Sequence, residues 1–164
     1  MLCLKRILLL LLSVLILAYK PGDGPGNCKL SISYNKKDST TTFKTKTIDW
    51  AGLQKKVKYS DTTIYMTLHI TNGEMDNSDG IRFIFRDGTS LTKPDVAAKH
   101  EMGLAAGGNS ISHTSIFELM KEDLKKLKEE SVLEYRIGKT AKKVLSEKQA
   151  LKFREGLDCI INAK

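Results

Sequence analysis

The stretch "TTIYMTLHIT", residues 62–71, decides the fold. Ile64, Met66, Leu68 and Ile70 alternate with Tyr65, Thr67, His69 and Thr71. Strict alternation at period two is the pattern of a strand with one buried and one polar face. The β-branched residues of the segment suit a pleated, half-buried surface.

Toward the N-terminus the same pattern recurs. In "CKLSISY" (28–34), Cys28, Leu30, Ile32 and Tyr34 point one way and Lys29, Ser31 and Ser33 the other, which predicts a half-buried strand. "NKKDST" reads as a turn, because Asn, Asp and Ser bond their own backbone there. "TTFKTKTI" (41–48) follows as a second strand, completing a hairpin. "DWAGLQKKV" (49–57) is ambiguous: Asp49 suits a helix cap, Gly52 weakens that helix, and Trp50 reads as a core or edge anchor.

Toward the C-terminus, "NGEMDNSDG" is a polar loop and "IRFIFRDGTSL" (81–91) a strand and turn. Ile81, Phe83 and Phe85 should face inward, with Arg82 and Arg86 outward. Asp87-Gly88 predicts a type I′ hairpin turn into a short strand that ends by Pro94. Residues 94–109 show no sustained period; such a length is uncommon for a plain loop and suggests a hidden strand around Val96–Met102 or a functional segment. "SISHTSIFEL" (110–119) returns to β character. "KEDLKKLKEE" (121–130) predicts a short helix, with Glu122 and Asp123 opposing its dipole and Leu124 and Leu127 on its buried side. "VLEYRIG" (132–138) alternates, with Leu133, Tyr135 and Ile137 on one face. In residues 146–163, Ser146 and Gln149 make a capping box. There Ala150, Phe153, Leu157, Ile160 and Ile161 fall on one helical stripe. The class is therefore α+β: a mainly antiparallel β-sheet or sandwich with a short helix and a C-terminal amphipathic helix. The strands cluster and do not alternate with helices, which argues against a parallel nucleotide-binding sheet.

The 164 residues allow one domain after a targeting segment. Residues 1–19 carry Lys5 and Arg6 before an uncharged apolar run, the composition of a signal peptide and short for a membrane span. Residues 20–27, rich in Gly and Pro, read as a flexible tether, and residues 28–164 as one globular domain. Export to the periplasm, cell envelope or exterior follows, with membrane attachment only through an uncleaved or lipidated N-terminus. Cys28 then has three readings: a lipid-bearing residue, a stray thiol, or half of a disulfide with Cys159, the only other cysteine beyond the leader. The disulfide is the leading one. At 100° per residue Cys159 points away from the stripe of its own helix, so the bridge would cross that helix's outer side.

The chain carries a net charge of +8, two of which belong to the leader. Its lysines are scattered and the densest run, "MKEDLKKLKEE", mixes both signs, which argues against nucleic acid. An unknown protein or glycan is the expected partner. Arg82 and Arg86 could hold a carboxylate or an anionic glycan. The three histidines, His69, His100 and His113, lack metal-ligand spacing, and no GxSxG or phosphate-loop context is present. No catalytic residue, metal ligand or cofactor is assigned. His100 and His113, with Glu101, are the least implausible members of a dispersed site.

The stretches "IRFIFRDGTSLTKP", "SIFELMKEDLKKLKEESVLEYRIG" and "FREGLDCII" resemble a group of small exported proteins of the Bacteroidota over about residues 60–164. Members share a strand with an Asp-Gly turn, an acidic helix start, a Tyr-Arg-Ile strand and a closing helix with a cysteine. Met120 departs from the pattern, which favours a Thr or Ser cap there. The resemblance implies the same α+β fold and supplies no functional residues. The expectation is an exported, non-enzymatic binding or interaction module. An anchored envelope lipoprotein or assembly subunit and an enzyme with a dispersed site are the alternatives.

Overall fold

Antiparallel pairing joins every strand to its neighbours in the computed structural model, which describes residues 29–46, 48, 50–72, 78–105 and 108–164. The leader, the tether and Cys28 lie outside the described residues. The chain order is β1 (Leu30–Asn35), β2 (Thr40–Thr45), β3 (Ala51–Lys58), β4 (Asp61–Asn72), β5 (Ile81–Phe85), β6 (Ser90–Lys93), β7 (Ala98–Ala105) and β8 (Gly108–Glu118). Helix α1 (Lys121–Glu129), β9 (Val132–Ile137), β10 (Ala141–Val144) and helix α2 (Glu147–Asn162) complete it. The strands form a six-stranded sheet, β1-β2-β3-β4-β8-β7, and a four-stranded sheet, β10-β9-β5-β6. This is the α+β class that the alternation implies.

The period-two pattern of β4 works as expected. Ile64, Met66, Leu68 and Ile70 are buried between the layers. Phe83 and Tyr135 of the smaller sheet meet them, with Phe83 6.4 Å from Phe117 and Trp50 stacked on Tyr135 at 5.1 Å between ring centroids. The Tyr135 hydroxyl donates to the His69 carbonyl at 2.7 Å, so this polar tip in the aromatic cluster is satisfied across the sheets. Burial pushes that phenol far above its ordinary range.

Residues 51–58 form a strand, because Ala51, Leu53 and Lys55 alternate inward beneath α2. Lys55 Nζ donates to the carbonyls of Ile161 (2.9 Å) and Ala163 (2.8 Å). A cation on β3 thus serves carbonyls that the last turn of α2 leaves without intrahelical partners. At the other end of α2 the expected box is present: Gln149 N–H donates to Ser146 Oγ, and Gln149 Oε1 accepts from Ser146 N–H. Helix α1 starts differently. Asp123 accepts from the Met120 N–H at 2.8 Å, so an acid in the first turn replaces the missing cap side chain.

Several expectations are corrected. The first strand is not half-buried: Leu30 is partly covered, but Ile32 and Tyr34 are exposed, because β1 is the sheet's edge. The Asp87-Gly88 turn is not type I′. Only Gly88 has positive φ (84°), and its N–H bonds to Phe85 O, the three-residue hairpin with a left-handed glycine. In β9, Val132 rather than Leu133 joins Tyr135 and Ile137 inside, because the register shifts beside Ile84 and Phe85. The segment after Pro94 does hide a strand, β7, which pairs with β8 along its whole length. Among the described residues no helix is long and apolar enough to cross a membrane.

Candidate ligand-binding surface

Outward positions of the four-stranded sheet fall into rows. Register places Thr92, Arg82, Arg136 and Lys142 opposite one another on β6, β5, β9 and β10. Side chains in such a row stand about 5 Å apart at Cβ. Three neighbouring positions are therefore cationic. The next row carries Ser90, Ile84, Glu134 and Val144. Glu134 is the row's only acid, and it accepts from Arg136 Nε at 2.5 Å. Arg82 reaches Ser90 Oγ at 3.4 Å, and Lys142 is exposed. Like charges directly opposite on a sheet destabilise it. The row keeps three cations against one carboxylate, and an external anion would relieve the repulsion.

Arg86 does not share this surface. It lies beyond the end of β5, with its guanidinium 3.5 Å from the Leu145 carbonyl. Arg82's neighbours are instead Arg136 and Lys142, which the sequence pattern does not single out. The alternation of "EYRI" exposes Arg136, but its position beside Arg82 depends on register, which no local pattern reveals.

The histidines divide between the two faces of the larger sheet. His100 on β7 and His113 on β8 are direct cross-strand partners facing inward. Their Nδ1 atoms are 2.8 Å apart, with the rings edge-on at 5.0 Å between centroids. One Nδ1 must donate and the other accept, so the pair shares a single proton at that contact. His113 is fully buried, and His100 Nε2 and Ser115 Oγ are buried without a partner among the described residues. Glu101 leaves the pair because adjacent strand residues face opposite sides. It pairs with Lys99 at 2.6 Å, and that lysine holds its carboxyl below the ordinary range. His69 lies on the outer face between Thr114 Oγ1 and Thr71 Oγ1, each 3.1 Å away. Among the described residues no three His, Cys, Asp or Glu side chains gather as a metal site.

A hollow of about 210 Å³ opens on the larger sheet, lined in part by Lys44, Trp50, Gly52, Gln54, Thr67 and His69. A Cβ on Gly52 would stand 3.9 Å from Thr67, an ordinary contact. Among the described residues the hollow's lining holds one lysine and one histidine and no acid.

Cys159 is buried at 3 % exposure yet stands outside the continuous apolar core formed by Phe153, Leu157 and Ile160. Cys28, the partner expected for it in a disulfide, lies outside the described residues. The chain matches no family model, no curated protein and no solved structure.

Proposed function

We propose that this chain is an exported, non-enzymatic binding module that takes an acidic glycan on the outer face of its four-stranded sheet. One observation carries the reading: Arg82, Arg136 and Lys142 occupy consecutive cross-strand positions with Glu134 as the only acid in the adjoining row. Strands lie about 4.8 Å apart, so the row offers cations at a spacing comparable to one residue of an extended polysaccharide. Planar guanidinium forks suit carboxylates. The net charge of +6 that remains once the leader's Lys5 and Arg6 are removed from the chain's +8 would steer an anionic polymer toward the protein. Export rests on the leader's composition. The Cys28–Cys159 bridge, which suits an oxidising compartment, rests on the pair of cysteines left beyond the leader. A mature N-terminus carrying lipid on Cys28 would replace this with the anchored alternative, and mass spectrometry of the mature chain distinguishes the two.

The catalytic alternative has one supporting observation, the meeting of His100 and His113. A ring with no exposed surface, as His113 has, offers a substrate no approach, so the binding reading is favoured.

Isothermal titration with polygalacturonate at low salt tests the proposal, with neutral dextran as the control. Binding should weaken steeply with salt. Arg82→Gln and Lys142→Gln should each weaken it about fivefold, the ~1 kcal/mol of a good exposed ion pair. Equal binding to dextran, or parental affinity in the double variant, would contradict it.

A further inference from the structure

The two sheets leave four edge strands, β1, β7, β10 and β6. An open edge invites pairing with another chain, and natural sheets guard against it with charges, brevity or proline. Three edges here are guarded. β6 and β10 have four residues each; β6 ends at Lys93 before Pro94, and β10 carries Lys142 and Lys143. β7 carries Lys99 and Glu101. β1 differs: its six residues, "LSISYN", include no charge and no proline. Among the described residues nothing pairs with its outer side. Two large apolar side chains stand exposed on it, Ile32 at 54 % and Tyr34 at 60 %.

The order of these residues specifies the occupant. Leu30-Ser31-Ile32-Ser33-Tyr34 reads apolar, polar, apolar, polar, apolar in both directions about Ile32. A twofold axis normal to a sheet pairs a strand with its own copy antiparallel, so residue i meets a residue on the same face. Centred on Ile32, that operation sets Ile32 against its own copy, Leu30 against Tyr34 and Ser31 against Ser33. Lys29 then meets Asn35, so no like charges are directly opposed. Centring on Ser33 instead would set Leu30 against Lys36. Ile32 lies across β1–β2 from buried Phe43, so the new apolar row continues the core-facing side of the sheet. We infer that the chain forms a twofold dimer through β1, joining two six-stranded sheets into one continuous sheet. This surface is distinct from the cation row, and the inference stands whether or not that row binds a glycan.

Sedimentation of the expressed full chain over a range of concentrations tests this. The parent should reach twice the monomer mass, Ile32→Lys should stay monomeric with unchanged circular dichroism, and Val144→Lys, at an exposed apolar position on another edge, should dimerise like the parent. Ile32→Cys supplies a second readout. Under oxidation it should form a covalent dimer whose peptide map joins the two introduced thiols, since opposed Cβ atoms lie about 5 Å apart. A parent that is monomeric at every concentration, an Ile32→Lys chain that remains dimeric, or a map without that bridge would overturn the inference.

Discussion

A sheet that holds two arginines side by side should become more stable when one is removed. Arg82 and Arg136 are direct cross-strand partners, with Lys142 one strand further on. Their charged ends can swing to about 7 Å apart, where two unit charges in water repel by roughly 0.6 kcal/mol. Screening trims this, and measured values for opposed like charges fall at about 0.2–1 kcal/mol. Arg82→Gln keeps most of the side-chain stem and loses a long, exposed contact with Ser90 at 3.4 Å. The net expectation is a gain of about 0.3–0.6 kcal/mol at low salt. With a urea slope near 2 kcal/mol/M for a domain of this size, the unfolding midpoint should rise by about 0.2–0.3 M. At 1 M salt the Debye length falls to about 3 Å, so the gain should vanish. Urea titration followed by tryptophan fluorescence at both salt levels measures it, since Trp50 is the only tryptophan and is buried. A midpoint that falls at low salt, or a gain that persists in high salt, would rule out repulsion between the two arginines as its cause.

Lys55→Met preserves the buried stem but strips two carbonyls of α2 of their charged donor. It should cost about 1.5–3 kcal/mol in urea unfolding, less whatever water restores, and a loss below about 0.5 kcal/mol would remove Lys55 from this role. The Asp87 carboxyl is held below its ordinary value of 3.8, first by the Thr89 hydroxyl and amide and then by Lys126. Its contribution to stability is therefore present above the unfolded value and lost as pH falls through the folded one. Thr89→Val should make stability fall less steeply below pH 3.8, and an unchanged acid limb would count against the hydroxyl.

Much of the fold was legible because one physical signal repeats. Alternation in residues 62–71 and 110–119 marks strands that bury one face, and Ser146 with Gln149 marks a helix start that satisfies its own amides. What escaped depends on contacts distant in sequence. The lysine-rich β10 has weak local β character and forms because β9 offers it a partner and Ala141 a buried place. Lys55 looks like a surface residue until α2 folds over it. Leu30, Ile32 and Tyr34 alternate as well as any buried strand, but no second layer covers the last two.

The candidate surface was half legible. Arg82 was visible as an outward cation, while Arg136 and Lys142 needed the register of three strands. His100 and His113 were visible as residues, but their contact depends on β7 pairing with β8, in a segment whose period is too weak to announce a strand.

On the proposed function an anionic ligand binds the four-stranded sheet and not the hollow around His69. Nitrogen-15 resonance mapping of the full chain titrated with an oligogalacturonate tests it most directly. The largest shifts should fall on the backbone amides of Arg82, Arg136 and Lys142. Shifts centred on Gly52, Thr67 and His69, or none at saturating ligand, would contradict it.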